Sequence, residues 1–147
     1  MNRSLALLAR LWAAPATLLG LAAVALAAAS GGRVRRRGGV IEAHGGIVTR
    51  VLARGVPIAR GAAAMTLGHV VLAQDEECLE WSRRHERVHV RQYERWGPFF
   101  IPAYALACIV AAMRGGHFYH DNVFERAAYR EPPPPARPQY TADDHSI

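Results

Sequence analysis

The sequence predicts an α+β protein in which an N-terminal transmembrane helix precedes a small domain with a short antiparallel sheet and one long helix. Three observations carry this prediction. Residues 11 to 29 are apolar and uncharged, residues 40 to 54 and 66 to 74 are rich in strand-forming residues, and residues 75 to 96 have a helical pattern. A chain of 147 residues has room for one domain beside the apolar segment.

The apolar N-terminal segment is long enough for a membrane anchor. About 19 residues in a helix rise about 28 Å, close to the thickness of a bilayer core. The arginines that follow predict, by the positive-inside rule, that residues 33 to 147 face the cytoplasm. A cleaved signal peptide is the alternative, because residues 25 to 27 are small enough for cleavage. We therefore predict a membrane anchor over residues 1 to 32 and a basic juxtamembrane linker over residues 33 to 38.

The charge distribution and the two cysteines argue against a nucleic-acid-binding protein, a cysteine-based zinc site and a disulfide-rich protein. The net charge is +6, but the arginines are spread along the chain, and the dense cluster adjoins the apolar segment. That position favours anionic membrane lipid over nucleic acid as a partner. Cys78 and Cys108 have no second cysteine at metal-ligand spacing, and two cysteines make no disulfide framework. The oligomeric state is not indicated by any of these features.

The domain itself is predicted over residues 39 to 130. Gly45 and Gly46 interrupt the first β-rich stretch and predict a hairpin or bulge there, whereas residues 66 to 74 form a second strand. A loop joins them over residues 55 to 64. Gly97 and Pro98 end the long helix. A short helix follows over residues 122 to 130, and the proline-rich tail over residues 131 to 147 is predicted to be disordered.

The long helix carries the motif His85-Glu86-Arg87-Val88-His89. Residues four apart lie on one face of a helix, so His85 and His89 can direct their imidazoles at one metal ion. Glu86 lies about 100° further round, where its carboxylate can accept a proton from a metal-bound water. The alternative is a chance match in a charged surface helix.

A catalytic zinc ion has three protein ligands, and one helix cannot supply them all. We predict Glu125, on the short helix after residue 121, as the third ligand. His117, His120 and Asp121 are competing ligands, and any of them could instead orient a ligating imidazole. His120 is also our candidate for stabilising an oxyanion.

These residues together resemble the gluzincin branch of the zincin metallopeptidases. The apolar strand before the motif and the downstream pattern Asn122-x-x-Glu125-x-x-Ala128 are the matching features, over roughly residues 64 to 130. The resemblance implies Zn²⁺ as the cofactor, His85, His89 and Glu125 as its ligands, and Glu86 as the general base. It also implies that the strand over residues 66 to 74 is an edge strand that aligns an extended peptide substrate.

A second apolar run, residues 98 to 113, separates the two parts of this site. A membrane crossing there would place His89 and Glu125 about 30 Å apart, and a helix of about 16 residues reaches only about 24 Å. We therefore predict a buried core helix, a re-entrant segment or a helix in the membrane interface.

The sequence thus favours a membrane-anchored zinc metallopeptidase that cleaves peptides or proteins near the membrane. Two alternatives remain open. One is a non-catalytic zinc-binding membrane protein, and the other is a structural membrane protein with a chance motif.

Overall fold

The structure is a computed structural model that describes residues 3 to 55 and 61 to 131. This part contains six α-helices, four strands and a 3-10 turn at Gly97–Phe99, so the predicted mixed α+β class is confirmed. In chain order the elements are α1 (Arg3–Trp12), α2 (Ala14–Ala29), β1 (Arg33–Arg37), β2 (Val40–His44), α3 (Ile47–Arg54), β3 (Ala64–Leu67), β4 (Val70–Ala73), α4 (Glu76–Trp96), α5 (Phe100–Met113) and α6 (Val123–Ala128).

The four strands form one sheet in the order β1-β2-β4-β3. The pairs β1–β2 and β3–β4 are antiparallel, but β2 and β4 are parallel, so the prediction of a purely antiparallel sheet is wrong at its centre. The cause is the connection through α3, which returns the chain to the far edge before β4 folds back beside β2. Helices α2 and α3 cover one face, around Val70 and Leu72. Helix α4 covers the other, around Val71 and Leu79.

Two of the predicted strands are wrong in part. Beyond His44 the first stretch becomes the helix α3, whose Val48 and Leu52 lie one turn apart and pack in the core. The second stretch is divided by Gly68, which has a φ of +61°, into the hairpin of β3 and β4. Of the two strands of this hairpin, β3 is at the sheet edge, whereas β4 lies between β2 and β3. The predicted loop and disordered tail fall mainly on residues 56 to 60 and 132 to 147, outside the described residues.

The segment predicted as a basic linker is instead the strand β1. Gly38 and Gly39 both have positive φ, at +56° and +79°, and form the tight turn into β2. Two adjacent glycines suit a hairpin turn whose central residues are left-handed. In the resulting register Arg35 lies opposite Glu42, so this arginine pairs within the fold.

Glu42 is the centre of a buried ion-pair cluster between the sheet and α4. Its side chain is 0% exposed, and its carboxylate lies 3.0 Å from Arg35 Nε, 3.1 Å from Arg83 Nε and 3.4 Å from Arg87 Nη2. Burial acts to raise the pKa of Glu42, but the guanidiniums of Arg83 and Arg35 outweigh it and lower that pKa below the ordinary 4.5. Arg83 and Arg87 of α4 therefore attach this helix to the sheet.

Removing this charge should destabilise the fold. We expect Glu42→Gln to lower the free energy of unfolding by about 3 kcal/mol, because it leaves three guanidiniums around a neutral group. Since the folded pKa is depressed, the ionised carboxylate stabilises the fold above about pH 4.5 and loses this effect as the pH falls through the folded pKa. Unfolding in mild detergent between pH 3 and 7 measures both effects. Glu77→Gln, at an exposed position in the first turn of α4, is the control, and equal stability of the two variants at pH 7 would contradict the prediction.

The N-terminal apolar segment forms two helices, α1 and α2, instead of one straight helix. Helices α1 and α2 meet at an angle of 68°, and Pro15 occupies the first turn of α2. Pro15 offers no amide proton to continue α1. Ala16, Gly20 and Ala27 are buried along α2, and a Cβ on Gly20 would lie 2.6 Å from Val70 Cβ. The small residues of α2 therefore bring it directly onto the sheet.

Among the described residues, one helical stretch is long and apolar enough to cross a membrane, namely Glu76–Met113. The bent pair α1 and α2 is a second candidate if it is counted as one span. The apolar part of Glu76–Met113 is the 3-10 turn and α5, whose outer face is exposed at Ile101, Leu106, Ile109 and Met113. The sequence predicted one membrane span at the N-terminus, whereas the structure also has a candidate span inside the chain.

Candidate metal centre

The helix that bears the motif begins and ends as its sequence predicts. Asp75 caps α4 by accepting a hydrogen bond from the Cys78 amide at 2.7 Å, and Glu76 and Glu77 occupy the first turn. At the other end Gly97, with a φ of +55°, turns the chain toward α5. A Cβ on Gly97 would lie 2.5 Å from the Trp12 ring, so glycine is required there.

Three of the predicted site residues come together between α4 and α6. His85 Nε2 and His89 Nε2 lie 3.0 Å apart. Glu125 Oε2 lies 3.2 Å from His85 Nε2, and Glu125 Oε1 lies 3.3 Å from His89 Nε2. Each residue offers one ligand atom to a common point, and these atoms all lie within 4.8 Å of one another. We call His85, His89 and Glu125 the triad.

The spacing of the triad fits a tetrahedral metal ion. Two ligands about 2.0–2.1 Å from a tetrahedral zinc lie about 3.3 Å from each other, which matches the separations in the triad. The Glu125 Oε2 atom is fully buried and makes no well-aligned hydrogen bond among the described residues, although His85 Nε2 lies 3.2 Å away. A buried carboxylate oxygen without a well-aligned hydrogen bond is costly, and a cation would compensate it. Two imidazoles and a carboxylate are a donor set that suits zinc.

Neighbouring side chains orient two of the triad residues. His89 Nδ1 hydrogen bonds to Gln92 Oε1 at 2.8 Å, which leaves Nε2 directed at the triad. Gln92 in turn donates to the Phe124 carbonyl at 3.1 Å and so connects α4 to α6. Tyr104, on α5, donates to Glu125 Oε1 at 2.7 Å. Such contacts fix the direction of ligand lone pairs before a metal binds.

Asn122 positions the helix that carries Glu125. Its side-chain oxygen accepts a hydrogen bond from the Phe124 amide at 2.9 Å, which caps α6. Its side-chain nitrogen donates to the Tyr104 carbonyl at 3.2 Å and approaches Cys108 Sγ at 3.1 Å. Asn122 is 0% exposed, so α6 is attached to α5 by a buried polar contact.

Glu86 is buried beside the triad and is held by the edge strand β3. Thr66 Oγ1 donates to Glu86 Oε2 at 2.6 Å. This hydrogen bond attaches the Glu86 side chain to β3 through Oε2, and Thr66 does not occupy Oε1. Of the edge strand that the resemblance implies over residues 66 to 74, only the part within β3 lies at the sheet edge.

His117, His120 and Asp121 do not join the triad. They lie in an exposed turn in which the His117 amide donates to Asp121 Oδ2 at 2.7 Å. The His120 ring lies 6.1 Å from Tyr129 between centroids, and Tyr129 lies 4.7 Å from His85. His120 is thus one ring removed from a triad imidazole, and its role at an oxyanion stays a prediction.

Sequence reasoning missed the tyrosines around the triad. Besides Tyr104, these are Tyr119 and Tyr129, which lie 6.4 Å apart between ring centroids. Burial and the nearby Glu125 carboxylate raise the pKa of Tyr119, so its hydroxyl stays protonated and able to donate. The position of Tyr129, four residues after Glu125 and therefore one turn further along the same helix face, is a signal that the sequence offers.

The triad is electrostatically coupled even without a metal. Burial acts to raise the pKa of Glu125, but the imidazoles of His85 and His89 and the Tyr104 hydroxyl outweigh it, and the pKa is lowered. Burial acts to lower the pKa of His89, whereas Glu125 and Glu86 raise it to about 9. A metal ion bound here would displace a proton from His89, because a ligating imidazole must be neutral.

Comparison with protein-family models, with curated proteins and with solved structures found no match for this chain.

Proposed function

We propose that this chain is a zinc metallopeptidase that works at a membrane surface. The observation that carries the proposal is the triad, which combines tetrahedral spacing with a buried carboxylate oxygen that makes no well-aligned hydrogen bond and has His85 Nε2 3.2 Å away. A zinc ion in such a site polarises a carbonyl and lowers the pKa of a bound water towards about 7. His85, His89 and Glu125 would hold the ion, and their number leaves a fourth position open.

Glu86 supports a hydrolytic rather than a purely structural site. A zinc ion that only holds a fold together needs no base beside it, and four protein ligands commonly enclose it. Here the described residues supply three ligands and no fourth. The buried carboxylate of Glu86 follows His85 directly in the motif. The Thr66 hydrogen bond holds that carboxylate in place. We assign Glu86 the role of accepting a proton from the attacking water.

The sheet supports a peptide as substrate. Strand β3 is at the sheet edge, and its Thr66 contacts Glu86 directly. An extended peptide that adds to the free side of β3 would be held by main-chain hydrogen bonds beside the triad. Peptide or protein segments in extended conformation are therefore the substrate class that we propose.

The exposed apolar helices support a location on the membrane. Helix α5 has 14 residues and reaches about 21 Å, which is short of a bilayer core of about 30 Å. Since α4 and α6 both contribute to the triad, the two ends of α5 must lie on the same side. We propose that α5 lies in the interface with its outer face in lipid. The cytoplasmic orientation stays a prediction of the sequence.

A peptide digest tests this function. The full chain, purified in mild detergent with zinc, is incubated with a mixture of unstructured peptides, and new termini are identified by mass spectrometry. We expect cleavage that a zinc chelator abolishes and that added zinc restores. The same protein with His85→Ala is the control for a contaminating peptidase. Equal cleavage by wild type and control, or none by zinc-loaded wild type, would contradict the proposal.

A further inference from the structure

A basic pocket lies on the far side of α4 from the triad. It consists of two adjoining cavities of about 300 and 190 Å³ that share Arg10, Gly39 and His69. It is bounded by the junction of α1 and α2, by the turn between β1 and β2, and by the turn between β3 and β4. We call it the Arg10 pocket. Its volume is in the range of sites for small molecules.

The lining of the Arg10 pocket carries positive charge that the fold does not neutralise. Arg10 and Arg36 both line it, and no carboxylate of the described residues lies within ion-pairing distance of either guanidinium. Its other arginines, Arg87 and Arg91, are paired with Glu42 and Glu131. The carboxylate of Glu94 also lines the smaller cavity and is bound to His69 Nε2 at 3.0 Å.

The two cavities differ in chemistry, which indicates an amphiphilic ligand. The larger one is bounded by Ala14, Leu18 and Ile41 in addition to the two unpaired arginines. Leu18 is 66% exposed and continues outward into the apolar face of α2. At the inner end Gly39 makes room for Arg10, because a Cβ there would lie 3.1 Å from Arg10 Nη2. An anionic group can reach the arginines while an apolar tail follows α2.

We propose that the Arg10 pocket binds a phosphate group, with Arg10 and Arg36 as its principal ligands. Arginine guanidiniums that line the same pocket hold phosphate oxygens by charge-assisted, bidentate hydrogen bonds. An anionic lipid headgroup or a free phosphate compound could carry that group. The proposal is independent of the metallopeptidase function, since Arg87, Arg91 and Glu94 lie on the face of α4 opposite His85 and His89.

Thermal unfolding in a neutral detergent tests this site. The full chain is melted with inorganic phosphate, with a short-chain phosphatidylglycerol, or with a phosphatidylcholine of the same chain length. We expect phosphatidylglycerol to raise the Tm by about 3 °C or more through mass action, with no rise for phosphatidylcholine. The double variant Arg10→Gln/Arg36→Gln should lose this rise. Arg50→Gln/Arg84→Gln removes the same charge from exposed arginines outside the pocket and should keep it.

The outcomes separate the sources of the phosphate. A rise with phosphatidylglycerol alone identifies a lipid headgroup, and a rise with inorganic phosphate as well identifies the phosphate group itself as sufficient. No rise with either compound in wild type, or equal loss in both double variants, would overturn the proposal. If the double variant does not fold, the single variant Arg36→Gln takes its place, because Arg36 is exposed on β1. It should at least halve the rise in Tm that phosphatidylglycerol causes.

Discussion

Glu86→Gln is expected to reduce peptide hydrolysis by about 10²- to 10⁴-fold while zinc content stays at about one ion per chain. The amide has nearly the shape of the carboxylate and can still accept the hydrogen bond from Thr66 Oγ1. It cannot take a proton from water, so the loss is confined to the chemical step. Turnover of a peptide found in the digest, with metal content by plasma mass spectrometry, measures both quantities.

Glu77→Gln is the matched control for this variant. Glu77 is an exposed glutamate in the first turn of the same helix, and it lies outside the triad. It should retain wild-type hydrolysis within about twofold. Full activity in Glu86→Gln would remove the general base from the proposal, whereas loss of zinc in that variant would mean that Glu86 holds the site together.

Glu125→Gln is expected to remove most of the bound zinc. The carboxylate is 2% exposed and approaches both imidazoles, so the amide substitutes a weaker, neutral donor at the centre of the site. We expect the zinc affinity to fall by at least about 100-fold, because a direct ligand should matter more than its hydrogen-bonding neighbours. Competition with a fluorescent zinc chelator measures the affinity of each variant.

Two further variants calibrate that loss. Tyr104→Phe removes the hydrogen bond to Glu125 Oε1 and should weaken zinc binding by about 10- to 100-fold. Glu131→Gln removes an exposed carboxylate outside the triad that pairs with Arg91 and should leave zinc binding unchanged. If Glu125→Gln bound zinc as tightly as Glu131→Gln, the third ligand would have to be sought among other residues.

The parts of this fold that the sequence predicts correctly depend on local signals. Helix α4 has an Asp75 cap, acidic residues in its first turn and a glycine at its end, and all of these lie within one segment. The i, i+4 spacing of His85 and His89 is likewise a property of the helix alone. The predicted meeting of Glu125 with them agrees with the structure, because Asn122 caps a helix there.

The wrong predictions concern contacts between distant segments. The arginines after the apolar run suggested a basic juxtamembrane linker, since the partners of Arg35 on α4, Glu76 and Glu80, are 41 and 45 residues away. The glycine pair before Val40 was a usable hairpin signal, but the strand before it has no apolar alternation. The small residues of α2 suit a membrane helix as well as close packing on a sheet, and the prediction of a membrane anchor there stays a prediction. Only the tertiary structure distinguishes these two uses.

The buried contact of Asn122 with α5 determines how the two halves of the triad are connected. Glu125 belongs to a unit of α5 and α6, whereas His85 and His89 belong to the helix that is packed on the sheet. A bound metal would therefore act as a non-covalent cross-link between these units and close a long loop of chain. Without the metal, the C-terminal unit would be held to α4 by the Gln92–Phe124 hydrogen bond and the Tyr93–Phe100 ring contact, and it would open locally more readily than the sheet and its Glu42 cluster.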